Sequence, residues 1–519
     1  MASLLPWLPW LVVPLLLCVY LLDLLAQARR RGLPPGPRPL PLIGSLHLLG
    51  DQPHRSLARL ARTHGPLMSL RLGAVTTVVV SSPDAAREFL QKHDAVFATR
   101  AVQDAVGAHA RSSVAWLPHA PRWRSLRRIM AAELFAPHRL DALQRLRVQK
   151  VRELTAHVAR LARDGEAVDV GRVAFTTSLN LLSRTVFSTD LTSLDDHGVS
   201  KGFQVLVAEI MEAAGTPNVS DFFPALAAAD LQGLRREMAR LLARLLARLH
   251  QVFDREVDQR LSRRARDAAG ETRKKDDGDG GDFLDVLLDV AERDDGQAAL
   301  LDRDTLRSVF TDLFAAGSDT TSSTIEWAMA ELLQNPSSMA KAHDELARVI
   351  SSGRDIEEHD IDRLPYLQAV IKETFRLHPP APLLLPRQAQ ATIRIAGYAI
   401  PKDARVLVNV WAMGRDETIW PEPNKFMPER FLGRAVDYRG RDFELIPFGA
   451  GRRMCPGMPL AIRMVHLVVG SLLHRFEWRL PVEVERSGID MCEKFGVTLT
   501  KSVPLRAIAT PMLVDDMGR

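Results

Sequence analysis

Phe448-Gly449-Ala450-Gly451-Arg452-Arg453-Met454-Cys455-Pro456-Gly457 is the segment from which the rest of the 519-residue chain can be interpreted. It carries one thiol, Cys455, in a loop rich in glycine and proline, with two arginines just before it. Neighbouring positive charge favours a thiolate over a thiol. Met458 to Val465 follows with the pattern of an amphipathic helix, so Cys455 stands near a helix N-terminus whose amides stabilise negative sulfur. A thiolate so placed can serve as the axial ligand of a haem iron. The glycines let the loop pass close under a flat macrocycle, where a Cβ would clash.

Phe448, Gly451, Arg453, Cys455 and Gly457 complete the pattern F-x-x-G-x-R-x-C-x-G. This pattern resembles the haem-binding loop of the cytochrome P-450 monooxygenases, and the wording PFGAGRRMCPG resembles their plant branch. The resemblance implies a mainly α fold with small β-sheets, haem b held by Cys455, and Phe448, Arg453 and Gly457 against that haem. It runs over essentially residues 33 to 510, with the motifs in the family's order. The competing reading, a structural cysteine in a glycine-rich turn, must meet all five fixed positions by chance.

Composition sets the outer bounds. Apolar residues make up 46% and charged residues 25%, which is ordinary for a globular protein. A net charge of +5 is too small and too dispersed for nucleic-acid binding, and suits an acidic protein partner or a lipid surface better. Cys18, Cys455 and Cys492 give no disulfide framework, and no Cys/His cluster has metal spacing. Leu4 to Leu25 is almost wholly apolar and long enough to span a bilayer. Arg29-Arg30-Arg31 follows it in place of a small-residue cleavage site, so it reads as a retained transmembrane helix with the rest of the chain cytosolic. The expected organisation is a membrane anchor over 1–28, a basic, proline-rich hinge over 29–45, and a single haem-thiolate domain over 46–519. With the resemblance, this implies the endoplasmic reticulum membrane, single-pass, catalytic domain towards the cytosol.

Leu67 to Ser81 alternates around Gly73 and predicts a β-hairpin. Asp302 to Asn335 is the longest helix candidate, opened by Asp302 as N-cap and stopped by Asn335-Pro336. Its middle, Ala316-Gly317-Ser318-Asp319-Thr320-Thr321, costs helix stability, so something other than propensity put it there. It resembles the family's acid–alcohol pair: Ala316 and Gly317 leave room above an iron for dioxygen, and a groove lets Asp319 and Thr320 relay protons. Trp123 and Arg127 share a helix face, and in the family such a pair reaches a haem propionate. Arg387 and Arg453 are further propionate candidates, with His378 a weaker one. Glu373 and Arg376, with Arg430 in P-E-R-F, resemble the family's buried triad and are expected to hold the Cys455 loop without doing chemistry. The same E-x-x-R spacing at Glu237/Arg240, Glu345/Arg348 and Glu483/Arg486 reads as surface pairs. Arg264 to Asp282, charged and glycine-rich, reads as a mobile surface loop.

Val309, Ala316, Gly317, Leu383, Leu384 and Val497 are the candidate pocket residues, an apolar chamber that implies a hydrophobic substrate. Asp312, one turn before Ala316, either meets a polar group of the substrate or packs the helix. The family's reaction is insertion of one oxygen atom from O2 into a C–H bond. No G-x-G-x-x-G follows a strand, so NADPH is expected to act through a partner, NADPH–cytochrome P-450 reductase, at a basic surface around Arg452 and Arg463. Membrane lipid is the other expected partner. Three rival functions fit the motifs less well. A haem-thiolate isomerase or dehydratase that does not use O2 dispenses with the acid–alcohol pair, a non-catalytic haem sensor has no use for one, and a scaffold carries no haem. The overall wording resembles the group of geraniol and cereal diterpene hydroxylases. A mono- or diterpenoid is therefore the first substrate expectation, and a flavonoid or phenylpropanoid the second.

Overall fold

A computed structural model describes residues 32–268, 282–292, 302–351 and 353–512, with residues 13, 14, 17, 20 and 21 before them. The predicted anchor therefore lies largely outside the described residues. Among these, no helix is long and apolar enough to cross a membrane.

Helices dominate. Those that build the site are α1 (Pro53–His64), α2 (Pro121–Ile129), α3 (Val170–Phe187), α4 (Leu234–Ala268), α5 (Arg303–Gln334), α6 (Pro365–Leu377) and α7 (Met458–Arg475). The predicted hairpin forms as β1 (Leu67–Leu72) and β2 (Val75–Val80), antiparallel, turning at Gly73 with φ 58°. With β3 (Thr99–Arg100), β4 (Arg387–Gln388) and β5 (Arg405–Val408) it makes one sheet in the order β1-β2-β5-β4-β3, the β2–β5 pair parallel. A separate two-stranded ladder, β6 (Glu493–Lys494) with β7 (Thr500–Lys501), carries a tip that reaches the site.

The central helix is α5. The Asp302 carboxylate accepts from the Thr305 amide at 2.7 Å, capping the orphan N–H groups of its first turn. It is buried almost all round from Leu313 to Leu332 and packs on α3, α6 and α7. Two of its hydroxyls bond back one turn, Thr311 to the Arg307 carbonyl at 2.7 Å and Thr324 to that of Thr320 at 2.9 Å, while Ser318 Oγ is buried without a partner.

Two expectations are corrected by packing, and a third, the Arg264–Asp282 loop, lies over 269–281 outside the described residues. At 35 residues α4 is longer than α5 at 32, running on through Ala268, four residues past Arg264. Both ends of that loop are tied down: Arg264 pairs with Asp289 at 2.7 Å and Asp282 with Arg260 at 2.6 Å. Glu345 is no surface residue. It is buried and accepts the amides of Tyr366 and Leu367 at 2.8 and 2.9 Å, capping the first turn of α6.

The proline-rich hinge is laid along the sheet. Ser69 on β1 donates its amide to the Pro35 carbonyl at 2.8 Å and its hydroxyl to that of Pro34 at 2.6 Å. A Cβ on Gly36 would stand 1.9 Å from the Ser69 carbonyl oxygen, so only glycine permits this approach.

Candidate active site

Cys455 is presented by the backbone path of its loop. Gly451 takes a left-handed φ of 67°, and a Cβ there would lie 1.9 Å from the Leu90 carbonyl oxygen. The Cys455 amide donates to the Phe448 carbonyl at 3.0 Å and closes the turn just ahead of α7. Burial pushes the thiol pKa up, while the Gly457 amide, the charge of Arg127 and the Met458 amide pull it down. The side chain opens into a cavity of about 380 Å³ and is otherwise enclosed by protein. Phe448 and Gly457 also line this cavity, Phe448 braced edge-on by Phe375 of α6 at 5.3 Å.

The facing wall is α5. Ala316, Gly317 and Thr320 line it. No break interrupts the helix, contrary to the expected groove: the Thr320 hydroxyl donates to the Ala316 carbonyl one turn back, at 2.8 Å. The missing side chain of Gly317 has a packing reason too, since a Cβ would meet Leu182 of α3 at 2.8 Å. Asp319 lies behind the wall. Its carboxylate accepts from Thr498, next to the β6–β7 tip, while its Oδ2 has no partner, and burial pushes its pKa up to about 6.

Of the other expected pocket residues, Leu384 and Val497 line the cavity. Val309 does not: it is buried in the apolar core of α5. Leu383 faces a smaller adjoining cavity of about 100 Å³. Met238, Leu242 and Leu245 of α4 form a wall that the sequence reading missed, although the repeat LLARLLARL carries an apolar stripe of helical period.

Four guanidiniums gather at one side of the cavity: Arg100, Arg127, Arg387 and Arg453. Arg453 lies 4.1 Å over the ring of Trp123, whose indole N–H donates to the Val114 carbonyl at 3.1 Å. Arg127 donates to the Met454 carbonyl at 2.8 Å. Burial, aggravated by the neighbouring Arg387 and Arg127, pushes Arg453 down to about 9; burial brings Arg387 down to about 10. Arg453 Nη1 is buried without a partner. Asp94, the carboxylate that offsets Arg387, already pairs with Arg452. Mutually repelling cations with an orphaned donor fit a dianionic group, and beside a single cysteine sulfur they fit the carboxylates and iron of a haem. His378 takes no part. Its Nε2 bonds Glu331 at 2.7 Å and its ring stacks on Trp327 at 3.9 Å, away from the cavity wall.

Beneath the site, Glu373 receives both Nε and Nη2 of Arg376, at 2.6 and 2.7 Å, and Nε of Arg430 at 3.0 Å. Arg376 also donates to the carbonyls of Gly414, Pro423 and Lys425, stitching α6 to the segment that leads to the Cys455 loop.

Residues 34–504 match the family model described as cytochrome P-450. Two geraniol 8-hydroxylases, from Catharanthus roseus and Swertia mussotii, are each 51% identical over 487 residues, 93% of this chain and 95% and 94% of theirs. A 7-ethoxycoumarin O-deethylase from Helianthus tuberosus is 46% identical over 505 residues, 97% of this chain and 99% of its own. Similarity of this depth over nearly the full length leaves one conclusion: the chain belongs to the cytochrome P-450 family and is a monooxygenase of its plant geraniol-hydroxylase group.

Proposed function

We propose that this monooxygenase is a membrane-anchored hydroxylase of hydrophobic plant terpenoids, mono- or diterpenes, supplied with electrons from NADPH by a separate reductase. In this reading Cys455 would ligate the iron, and Arg127, Arg387 and Arg453, with Arg100, would hold the haem carboxylates, the face of Trp123 steadying Arg453. Bound there, haem supplies the activation of O2 and the transfer of one oxygen atom into a C–H bond. The chain's own part is to bind, orient and keep dry. Ala316, Leu384, Leu385 and Val497 give the cavity an apolar lining, and Thr320 and Asp319 hold exchangeable protons at and behind the α5 wall.

That apolar lining carries the substrate reading, and the two geraniol 8-hydroxylase relatives support it. The 7-ethoxycoumarin O-deethylase relative favours a second reading, a phenolic substrate such as a flavonoid or phenylpropanoid. Leu4 to Leu25 and Arg29 to Arg31 support anchoring in the endoplasmic reticulum with the domain facing the cytosol. For the reductase, Arg452 pairs with Asp94 yet stays half exposed, whereas Arg463 pairs with both Asp141 and Glu358, is only a quarter exposed and has less to offer a partner.

A spectral titration of the haem-loaded protein decides between the two substrates. A mono- or diterpene is expected to displace the Soret band. A response confined to flavonoids and cinnamic derivatives assigns the phenolic reading instead, and protein that binds no haem at all removes Cys455 from its role.

A further inference from the structure

The strands behind the cavity tip are short. β6 and β7 share two paired positions, Glu493 with Lys501 and Lys494 with Thr500, and a ladder of that length is marginal by itself. Yet the turn it carries shapes both cavities: Val497 and Thr498 line the large one, Phe495 and Gly496 the smaller one beside it. At its far end the turn is fixed by main chain. The Val497 amide donates to the Met211 carbonyl at 2.9 Å, and the Leu499 amide to that of Pro380 at 2.7 Å. A Cβ on Gly215 would stand 2.5 Å from the Gly496 carbonyl carbon, so there is no slack on that side.

At its base the turn hangs on one side chain. Glu493 is 4% exposed, and its carboxylate gathers donors from three directions. Oε2 accepts Nε and Nη2 of Arg55 at 2.9 and 2.6 Å and bonds His54 Nε2 at 3.2 Å, both residues of α1. Oε1 accepts the indole N–H of Trp411 at 3.0 Å, with Arg415 standing 3.9 Å away. Burial pushes the carboxyl pKa up, but His54, Arg415, Trp411 and Arg55 outweigh it and hold the group well below the usual carboxylate range. The His54 ring also stacks on Phe495 of the turn, at 5.3 Å with the planes 10° apart. Apolar side chains of the same volume would stabilise such a site about as well; what a carboxylate with directed donors adds is a fixed position.

We infer that Glu493 is a positioning residue: by tying the base of the turn to α1 and Trp411, it sets where Val497 stands in the cavity and so which bulky molecules fit there. This rests on the reading of that cavity as the place of haem and substrate, and on no particular substrate class.

The test is Soret titration of the haem-loaded full chain with imidazole, which needs little beyond the iron, and with 4-phenylimidazole, whose added ring also meets the wall. The ratio of the two dissociation constants is the readout. Val497→Ala is expected to shift it about 10-fold, the worth of a methyl-sized change in an apolar site. Glu493→Gln is expected to shift it by a similar factor with imidazole binding unchanged. Together the two substitutions are expected to do no more than Val497→Ala alone, because the carboxylate acts through that side chain. Arg55→Gln, at a side chain 42% exposed, tests the same tie if Glu493→Gln holds no haem. An unshifted ratio in Glu493→Gln, or in Arg55→Gln where it stands in, overturns the inference. So do effects of Glu493→Gln and Val497→Ala that multiply, since Glu493 then only supports the fold. An unshifted ratio in Val497→Ala removes the turn from the ligand and the inference with it, while the haem reading stands. A wild-type protein whose Soret band ignores imidazole overturns the haem reading itself.

Discussion

Glu373→Gln is expected to lower stability by about 3–5 kcal/mol and to leave a protein that loses haem. Glu373 and Arg376 are 0% exposed and Arg430 is 6% exposed, so the two guanidiniums have no water to turn to when their one carboxylate becomes a neutral amide. The volume is conserved, which confines the effect to charge. Arg376 also joins α6 to the carbonyls of Gly414, Pro423 and Lys425, and the adjacent Phe375 braces Phe448. Slackening the triad therefore reaches the loop that presents Cys455. Against a total stability of about 5–15 kcal/mol, such a loss is large. Urea midpoints and haem content of the purified variant measure it. A variant within about 1 kcal/mol of wild type with full haem content shows that the loop is held by something else.

The second large effect is expected at the α5 wall. With Asp319→Asn or Thr320→Ala, product formed per NADPH oxidised should fall about 100-fold, while the spectral affinity for substrate stays unchanged. Because burial raises the Asp319 pKa to about 6, its carboxyl is protonated below that pH and loses its proton as pH rises through it. Wild-type product yield is expected to decline across that interval, and the Asn variant to show no such limb. The stability effect has the same sign. Between the ordinary carboxyl value of about 4 and about 6 the folded state binds the extra proton, so stability falls as pH rises through this window. Glu326, pushed up to about 7 by burial, behaves similarly; the difference between wild type and Asp319→Asn isolates Asp319. Unchanged yield in both variants places proton delivery elsewhere.

The Cys455 loop, the Gly73 hairpin and the Glu373–Arg376 pair were legible because each is local: a few residues at fixed spacing set the geometry. Residues of the same chemical types went astray where burial depended on a distant partner. Glu345 looked like any helical glutamate until the first turn of α6, some twenty residues on, offered it two amides. His378 looked free for a haem carboxylate, but Glu331 and Trp327 of α5 claim it. Val309 and Ala316 sit two turns apart on a helix that protein covers on nearly every side, Ala316 opening only into the cavity. Past its first turns such a helix has little polar face, so nothing in its own period separates core from cavity wall. The cavity end of α4 was missed for the opposite reason, since its apolar stripe was plain but its destination was not.

The docking of the hinge on β1 sets where this enzyme can be trimmed. Pro34 and Pro35 lend their carbonyls to Ser69, and Gly36 lets the two backbones touch. A version shortened up to Leu33 keeps these bonds to β1 but gives up the Gly32 carbonyl, which accepts from the Ala399 amide at 2.6 Å. A cut only three residues further in strips β1 of its edge partner and leaves the Ser69 amide and hydroxyl to find water instead.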